Sequence, residues 1–279
     1  MLRRMLTAAR DVSVADWFSR SARDWGTVHS MVPPVFEACA RVFHPASLYE
    51  RGRLGDPAPT DGREVSWSEV AAANGRTMHG AAEWGQLTGS WRIEEQECLW
   101  NREPETGQTP GRQALRLASI LAAHTGTSDE CFFAVWEGWG EGFSGAIHLF
   151  TEGTTEAEKE RAIEEWEDEQ EELAQWGRWV RSAPIFRVPS RGYHLLRGPL
   201  ADIGGFYGAG RNAPSIWWPE DRAWCVGSDV DLMTTYVGGS AEAIEAIVGD
   251  PDLEALEIPA GQDVTWEADT VNPSVGPPS

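Results

Sequence analysis

The sequence is poor in positive charge and nearly devoid of lysine. Lysine and arginine together number 23 against 44 aspartates and glutamates, which gives a formal net charge of −21, and Lys159 is the single lysine. Nucleic-acid binding draws on clustered basic side chains that contact phosphates. The charge balance therefore argues against nucleic-acid binding by direct phosphate contact, and it favours a basic partner.

Cysteines are few and widely spaced. Cys39, Cys98, Cys131 and Cys225 form no C-x-x-C pair. A disulfide framework and a zinc site both need closely patterned cysteines, so neither is supported. Cys39 and Cys131 lie inside apolar runs, where we expect them to behave as small buried hydrophobic residues. No metal and no cofactor is expected.

Long apolar runs are also missing. No stretch approaches the roughly 18 apolar residues that a transmembrane helix needs. The N-terminus begins with two arginines like a secretion signal, but Arg10, Asp11 and Asp16 interrupt the apolar stretch that such a signal requires. We therefore expect a cytoplasmic protein with no membrane-embedded part.

The first half of the chain is predicted to be mainly helical. Residues 1–26 form a candidate helical segment, and Ser66 with Glu69 makes a capping box at the start of a helix that Asn74-Gly75 ends. Thr109-Pro110, a cap residue followed by proline, predicts the start of a further helix. Residues 27–128 are accordingly expected to be mainly helical, with loops.

After Ser128 the periodicity changes to that of a sheet. Short apolar or alternating runs separated by Gly, Pro and Asp turns indicate strands. These runs cover residues 131–136, 146–150, 185–188, 193–196, 215–218 and 223–230. The predicted fold class is α+β: a helical N-terminal half followed by a largely antiparallel sheet, in a single domain over 27–258. The polar, proline-rich residues 259–279 are predicted to be a flexible tail.

Residues 152–182 interrupt this sheet with a strongly acidic segment. Eleven acids and two bases give residues 152–172 a net charge of −9. Thr155 and Glu158 form a capping box, and Arg178 and Arg181 complement the helix dipole at the other end. The sequence therefore predicts a long helix inserted between strands. Its apolar stripe includes Trp166 and Trp176. This stripe either packs on the domain or serves as an arm that binds a partner.

Tryptophan is abundant, with 15 residues in the chain. Clustered indoles stack on ligands or anchor interfaces, but they also fill cores. The candidate binding residues are these tryptophans and the polar groups near them in sequence: Trp136, Glu137, Trp139, Trp166, Trp176, His194, Arg197, Trp217 and Trp218. No nucleophile elbow or H-E-x-x-H motif occurs, so no catalytic residue is assigned.

Several longer phrases resemble a known group of sequences. They are Pro34–Pro45, Cys131–Gly140, Tyr193–Leu200, Trp217–Val226 and Thr235–Ser240. Together they resemble an uncharacterised family of cytoplasmic proteins from GC-rich Gram-positive (actinobacterial) bacteria, over most of residues 27–258. The resemblance implies no activity and no catalytic residues. The acidic segment departs from that family, in which similar strands are linked more briefly.

Two functions remain open. The first is a non-catalytic, immunity-like or regulatory module whose acidic, tryptophan-rich surface binds a basic protein. The second is a small-molecule-binding enzyme or sensor with a tryptophan-lined pocket, in which Glu137, His194 and Arg197 supply the polar groups. Aromatic side chains around a concave pocket would favour the second function. Tryptophans that the acidic helix presents to solvent would favour the first.

Overall fold

The computed structural model of the chain describes residues 6–23, 25–49, 62–96, 99–139, 155–207 and 211–277. Its strands are β1 (Thr7–Ala8), β2 (Ala38–Phe43), β3 (Ala46–Leu48), β4 (Arg63–Val65), β5 (Cys131–Trp136), β6 (Ile185–Val188), β7 (Arg191–Gly198), β8 (Ile216–Pro219), β9 (Cys225–Ser228), β10 (Thr234–Gly239) and β11 (Ala255–Ile258). Its α-helices are α1 (Asp16–Ser21), α2 (Trp67–Ala73), α3 (Trp84–Thr88), α4 (Gly111–Leu121), α5 (Glu156–Arg181) and α6 (Ala241–Val248). Within these ranges, no helix combines the length and apolar character needed to cross a membrane.

The centre of the fold is a nine-stranded antiparallel sheet. Its strand order is β1, β7, β5, β8, β9, β10, β2, β11. The ninth strand, β6, also pairs with β7, on the same side as β1 and opposite to β5. β3 and β4 form a separate antiparallel pair. The predicted α+β class is thus confirmed. The predicted strand at 146–150 lies outside the described residues.

The predicted helical N-terminal half is wrong. β2 lies within the large sheet, where Ala40 pairs with Val237 of β10 on one side and with Glu257 of β11 on the other. Residues 27–128 also contain β3 and β4, and their helices are short. A strand that is buried on both faces is a near-continuous apolar run, and over so few residues its periodicity does not distinguish it from a buried helix.

Alternation along the strands divides the core into layers. One face of the sheet, which includes Phe133 and Trp217, packs under α4, α6 and the C-terminal part of α5. The other face, which includes Phe132 and Trp218, packs under α1 through Phe18. A third cluster surrounds α2 and α3. A fourth cluster covers the end of the second face that lies away from α1. Cys39, Cys131 and Cys225 are buried free thiols, while Cys98 lies outside the described residues.

Several predicted elements are confirmed with their boundaries. α5 starts after a Thr155–Glu158 capping box and ends at Arg181, between β5 and β6. α2 has the predicted Ser66–Glu69 capping box, in which each side chain accepts from the other residue's backbone N–H. In both helices the cap fixes the first turn locally, so the sequence alone determines where the helix begins.

Residues 259–277, hereafter the C-terminal segment, pack on the domain, which differs from the predicted flexible tail. Asp269 is its main anchor. One carboxylate oxygen hydrogen-bonds His79 Nε2 at 2.9 Å, and the other accepts from the Glu83 backbone N–H at 3.3 Å. Asn272 donates to Thr77 O at 2.9 Å and accepts from Thr77 N at 2.9 Å. These polar side chains satisfy the backbone of residues 77–83 rather than solvent.

Replacing Asp269 should show how much this anchor contributes. Burial alone would raise the pKa of Asp269, but hydrogen bonds from Asn272, His79 and the Val271 backbone hold it below its ordinary value. Asp269→Ala removes an ionised acceptor from several buried donors, so we expect it to lower the free energy of unfolding by about 2–4 kcal/mol. Urea denaturation followed by circular dichroism measures this change.

The exposed acid of the same segment supplies the control. Glu267→Ala should change the free energy of unfolding by no more than about 0.5 kcal/mol. Equal effects of the two substitutions would contradict an anchoring role for Asp269.

Candidate functional site

A cavity of about 290 Å³ lies where β2, α2, α3 and the C-terminal segment meet. Five indoles line it: Trp25, Trp67, Trp84, Trp91 and Trp266. The charged lining residues are Arg41, Glu83 and Asp231, and the remaining lining is aliphatic. An apolar concave cavity with a few convergent polar groups is the usual form of a small-molecule site.

The inner wall of the cavity is a fixed aromatic row. Trp67 and Trp84 are both fully buried, with ring centroids 5.3 Å apart. The row continues to Phe43 at 5.0 Å from Trp67 and to Trp100 at 5.2 Å from Trp84. Trp67 Nε1 donates to His44 O at 2.8 Å, which fixes the ring in its plane. The inner wall is therefore preformed.

The outer wall comes from three separate parts of the chain. Trp91 packs directly on Gly85 of α3, where a Cβ would overlap the indole ring, and its Nε1 donates to Gly276 O at 2.9 Å. Trp266 belongs to the C-terminal segment, and its carbonyl accepts from Gln86 Nε2 at 2.8 Å. Trp25 is 42% exposed and lies at the solvent side. The C-terminal segment thus supplies Trp266 and holds Trp91 in place through Gly276.

Arg41 provides the buried charge of the site. It projects from β2 with 2% of its surface exposed. Nε donates to Thr234 Oγ1 at 3.3 Å, Nη1 to Gly80 O at 3.1 Å and Nη2 to Glu83 Oε1 at 3.0 Å. Its guanidinium carbon also lies 5.7 Å from the centroid of the Trp67 ring. A buried guanidinium with these partners is electrostatically satisfied.

Glu83 is the carboxyl group of the cavity lining whose pKa is raised. Burial raises its pKa to about 7, although the neighbouring Arg41 guanidinium acts in the opposite direction. Asp269 and Asp263 add to the increase because their negative charges disfavour a further carboxylate. A cavity carboxyl with a pKa near neutrality is a marker of functional sites.

The sequence-predicted Trp217 and Trp218 do not line this cavity. Both are fully buried in the core and point to opposite faces of the sheet. Trp217 lies 5.4 Å from Trp224, and Trp218 stacks on Phe132 at 5.6 Å. Their adjacency in sequence places them in different layers, because side chains alternate along a strand.

Four other predicted residues come together, but around very little space. Trp136, Trp139, Trp176 and His194 line a void of only about 20 Å³. The two indoles of Trp136 and Trp139 meet edge-on with centroids 5.7 Å apart. His194 is buried, and its Nδ1 lies 3.1 Å from Ala183 O. A void of this size holds about one water molecule, so these residues do not form a ligand pocket in this conformation.

Glu137, His194 and Arg197 do not converge. Glu137 forms a two-point ion pair with Arg187, at 2.7 and 3.1 Å. Arg197 pairs with Glu130 and Glu220 on the face of β7 opposite to His194. These three side chains therefore do not line one shared pocket, which is the arrangement that the second function in the sequence analysis requires.

Trp166 lies in the N-terminal half of α5, where most residues are exposed. Along the predicted apolar stripe, Leu173, Trp176 and Val180 are buried, whereas Ile163 is 42% exposed and Trp166 is half-buried. The C-terminal half of α5 therefore packs on the sheet. Its N-terminal half presents acids together with two large apolar side chains.

Sequence reasoning missed the residues of the tryptophan-lined cavity, although one signal was present. Arg41 stands inside the apolar run Cys39-Ala-Arg-Val-Phe43. A charge at the centre of a buried strand requires a buried partner, and such partners are characteristic of functional or organising sites. Glu83 and the five indoles come from distant positions, and no local pattern connects them.

Comparison with protein-family models, with curated proteins and with solved structures found no match to this chain. The resemblance to an actinobacterial family therefore stays a prediction.

The pH dependence of stability tests the environment of Glu83. In the folded state Glu83 keeps its proton up to about pH 7, whereas the unfolded chain loses it near pH 4.5. The folded state therefore binds more protons in this range. We expect the free energy of unfolding of the wild type, relative to Glu83→Gln, to fall as the pH rises from about 4.5 to 7. Denaturant titrations across this range measure it.

Glu242→Gln, on the exposed face of α6, serves as the control. Its difference from the wild type should stay nearly constant over the same pH range. A constant difference for Glu83→Gln as well would contradict a raised pKa.

Proposed function

We propose that the protein binds a small organic molecule in the tryptophan-lined cavity. The observation that carries this proposal is the combination of five indoles and a buried Arg41–Glu83 pair around about 290 Å³ of space. The volume is at the lower end of the range typical of small-molecule sites. The proposal makes the chain a binding protein or sensor and assigns no catalytic step.

The buried ion pair supports this proposal. Removing two charges from water is costly, and well-packed apolar residues often give equal or greater stability in their place. The stability of the fold alone thus does not explain why Arg41 and Glu83, rather than two apolar residues, stand at the end of an apolar cluster. Its position in the lining of the cavity gives it a second role, in which it orients the polar part of a ligand.

A fragment and metabolite library screened by thermal shift and by ligand-observed NMR tests the proposal. We expect binders whose affinity falls by about tenfold or more in Trp266→Ala, because an interface indole commonly contributes more than 1 kcal/mol. Trp266 is half-buried, so its removal leaves the sheet core intact. Trp179→Ala removes a half-buried indole outside the cavity and is the matched control.

The two variants separate the outcomes. Binders that are weakened by Trp266→Ala and retained by Trp179→Ala support the cavity as the binding site. A screen without binders, or binders that both variants retain, would count against the proposed function.

A basic protein partner for α5 is the second candidate function. Its support is the placement of Ile163 and Trp166 among exposed acids in the N-terminal half of α5. The acids favour encounter with a positively charged surface, and the two apolar side chains supply contact area. The partner would therefore carry lysines and arginines around an apolar patch.

Charge reversal on α5 tests this second candidate. Glu164→Lys with Glu167→Lys should weaken binding of a purified basic partner by about tenfold or more at low salt, because opposite charges on the two surfaces steer association. The partner is first captured from native lysate and then identified. Glu242→Lys with Glu245→Lys, at the same spacing on α6, is the control. Equal binding by both double variants, or binding insensitive to salt, would exclude α5 as the contact surface.

A further inference from the structure

Aromatic rings in and beside the wall of the cavity already surround one cation. The Arg41 guanidinium carbon lies 5.0 Å from the Phe43 ring centroid, 5.7 Å from that of Trp67 and 5.8 Å from that of Tyr236. Aromatic faces carry partial negative charge and attract cations within about 6 Å of the ring centroid. The remaining indoles, Trp84 and Trp91 among them, extend the same kind of wall around the open space.

The charges around the cavity favour a further positive charge. Glu83 and Asp231 line the space against the single base Arg41. Asp263 and Asp269, which do not line the cavity, also act electrostatically on Glu83. Arg191 lies 3.1 Å from Asp231 but is shared with Asp229, also at 3.1 Å. Acids therefore outnumber bases in and around the cavity.

An anionic ligand fits this site poorly. Each of the three guanidinium nitrogens of Arg41 already donates to an acceptor within the protein. An anion would have to compete with Glu83 for this cation, and it would also approach the Asp231 carboxylate. A neutral apolar ligand would displace water from the exposed Asp231 carboxylate without replacing the interactions that this group loses.

We propose that the cavity binds a small organic cation, of the quaternary or aromatic ammonium class, held between the indoles and the carboxylates of Glu83 and Asp231. This inference rests on the proposed ligand-binding function and specifies its ligand class. The indole faces supply cation–π attraction, which is strongest where water is excluded. Glu83 supplies the compensating charge at the inner end, and Asp231 supplies it at the solvent side.

Three probes of nearly equal shape and different charge test the class. They are benzyltrimethylammonium as the cation, benzyldimethylcarbinol as the neutral analogue and 2,2-dimethyl-3-phenylpropanoate as the anion. Calorimetry or ligand-observed NMR at pH 8, where Glu83 is largely ionised, gives the three dissociation constants. We expect the cation to bind at least about tenfold more tightly than the carbinol, and the anion to bind most weakly.

Variants of the two acids identify the origin of the preference. Glu83→Gln should reduce the ratio of cation to carbinol affinity by about tenfold and should strengthen binding of the anion, because Arg41 loses its counter-charge. Asp231→Asn should reduce the same ratio in the same direction. Since the Asp231 side chain is 65% exposed, that variant tests the proposal without disturbing the core. Glu242→Gln should leave all three affinities unchanged.

The possible failures are distinguishable. Tighter binding of the carbinol or the anion overturns the cationic class, as does an affinity ratio that neither acid variant changes. Failure of all three probes, with non-cationic binders in the library screen, overturns the class but leaves the proposed function standing. Failure of the probes together with an empty screen overturns both.

Discussion

The buried charge of Arg41 is the constraint around which one end of the molecule is organised. A guanidinium inside a sheet is tolerated only when its donors have acceptors and its charge is compensated. β10 supplies Thr234, and residues 80–83 supply a carbonyl and the Glu83 carboxylate. The C-terminal segment in turn holds residues 80–83, because Gln262 donates to Gly80 O and Asp269 accepts from Glu83 N. The satisfaction of one charge thus links three distant parts of the chain.

The parts of the fold that could be predicted are those whose signals are local. The two ends of α5 follow from its capping box and from the arginines in its last turn. The apolar run at 131–136 and the hairpin strands at 185–188 and 193–196 follow from length and turn residues. β2 could not be placed, because its neighbours β10 and β11 lie about two hundred residues further on. Only those long-range pairings decide that residues 38–43 form a strand.

The site was less accessible to sequence reasoning than the fold. Indoles that are close in sequence, such as Trp217 and Trp218, are separated by the alternation of a strand. The indoles that do share a cavity come from positions as far apart as 25 and 266. The tryptophans that the sequence suggested for a pocket are therefore not the ones that line the observed cavity. The arginines near 187–197 behave as charge partners of nearby acids, as in the pairs Arg187–Glu137 and Arg191–Asp229.

The position of the C-terminal segment has a consequence for biosynthesis. Trp266 follows every other wall residue of the cavity along the chain. During translation the sheet, including β10 and β11, is synthesised before this last wall emerges. Until then the cavity lacks the walls that Val264 and Trp266 provide. A growing polypeptide therefore cannot assemble the complete cavity before residue 266 has emerged, and a ligand that requires all of its walls binds only after that point.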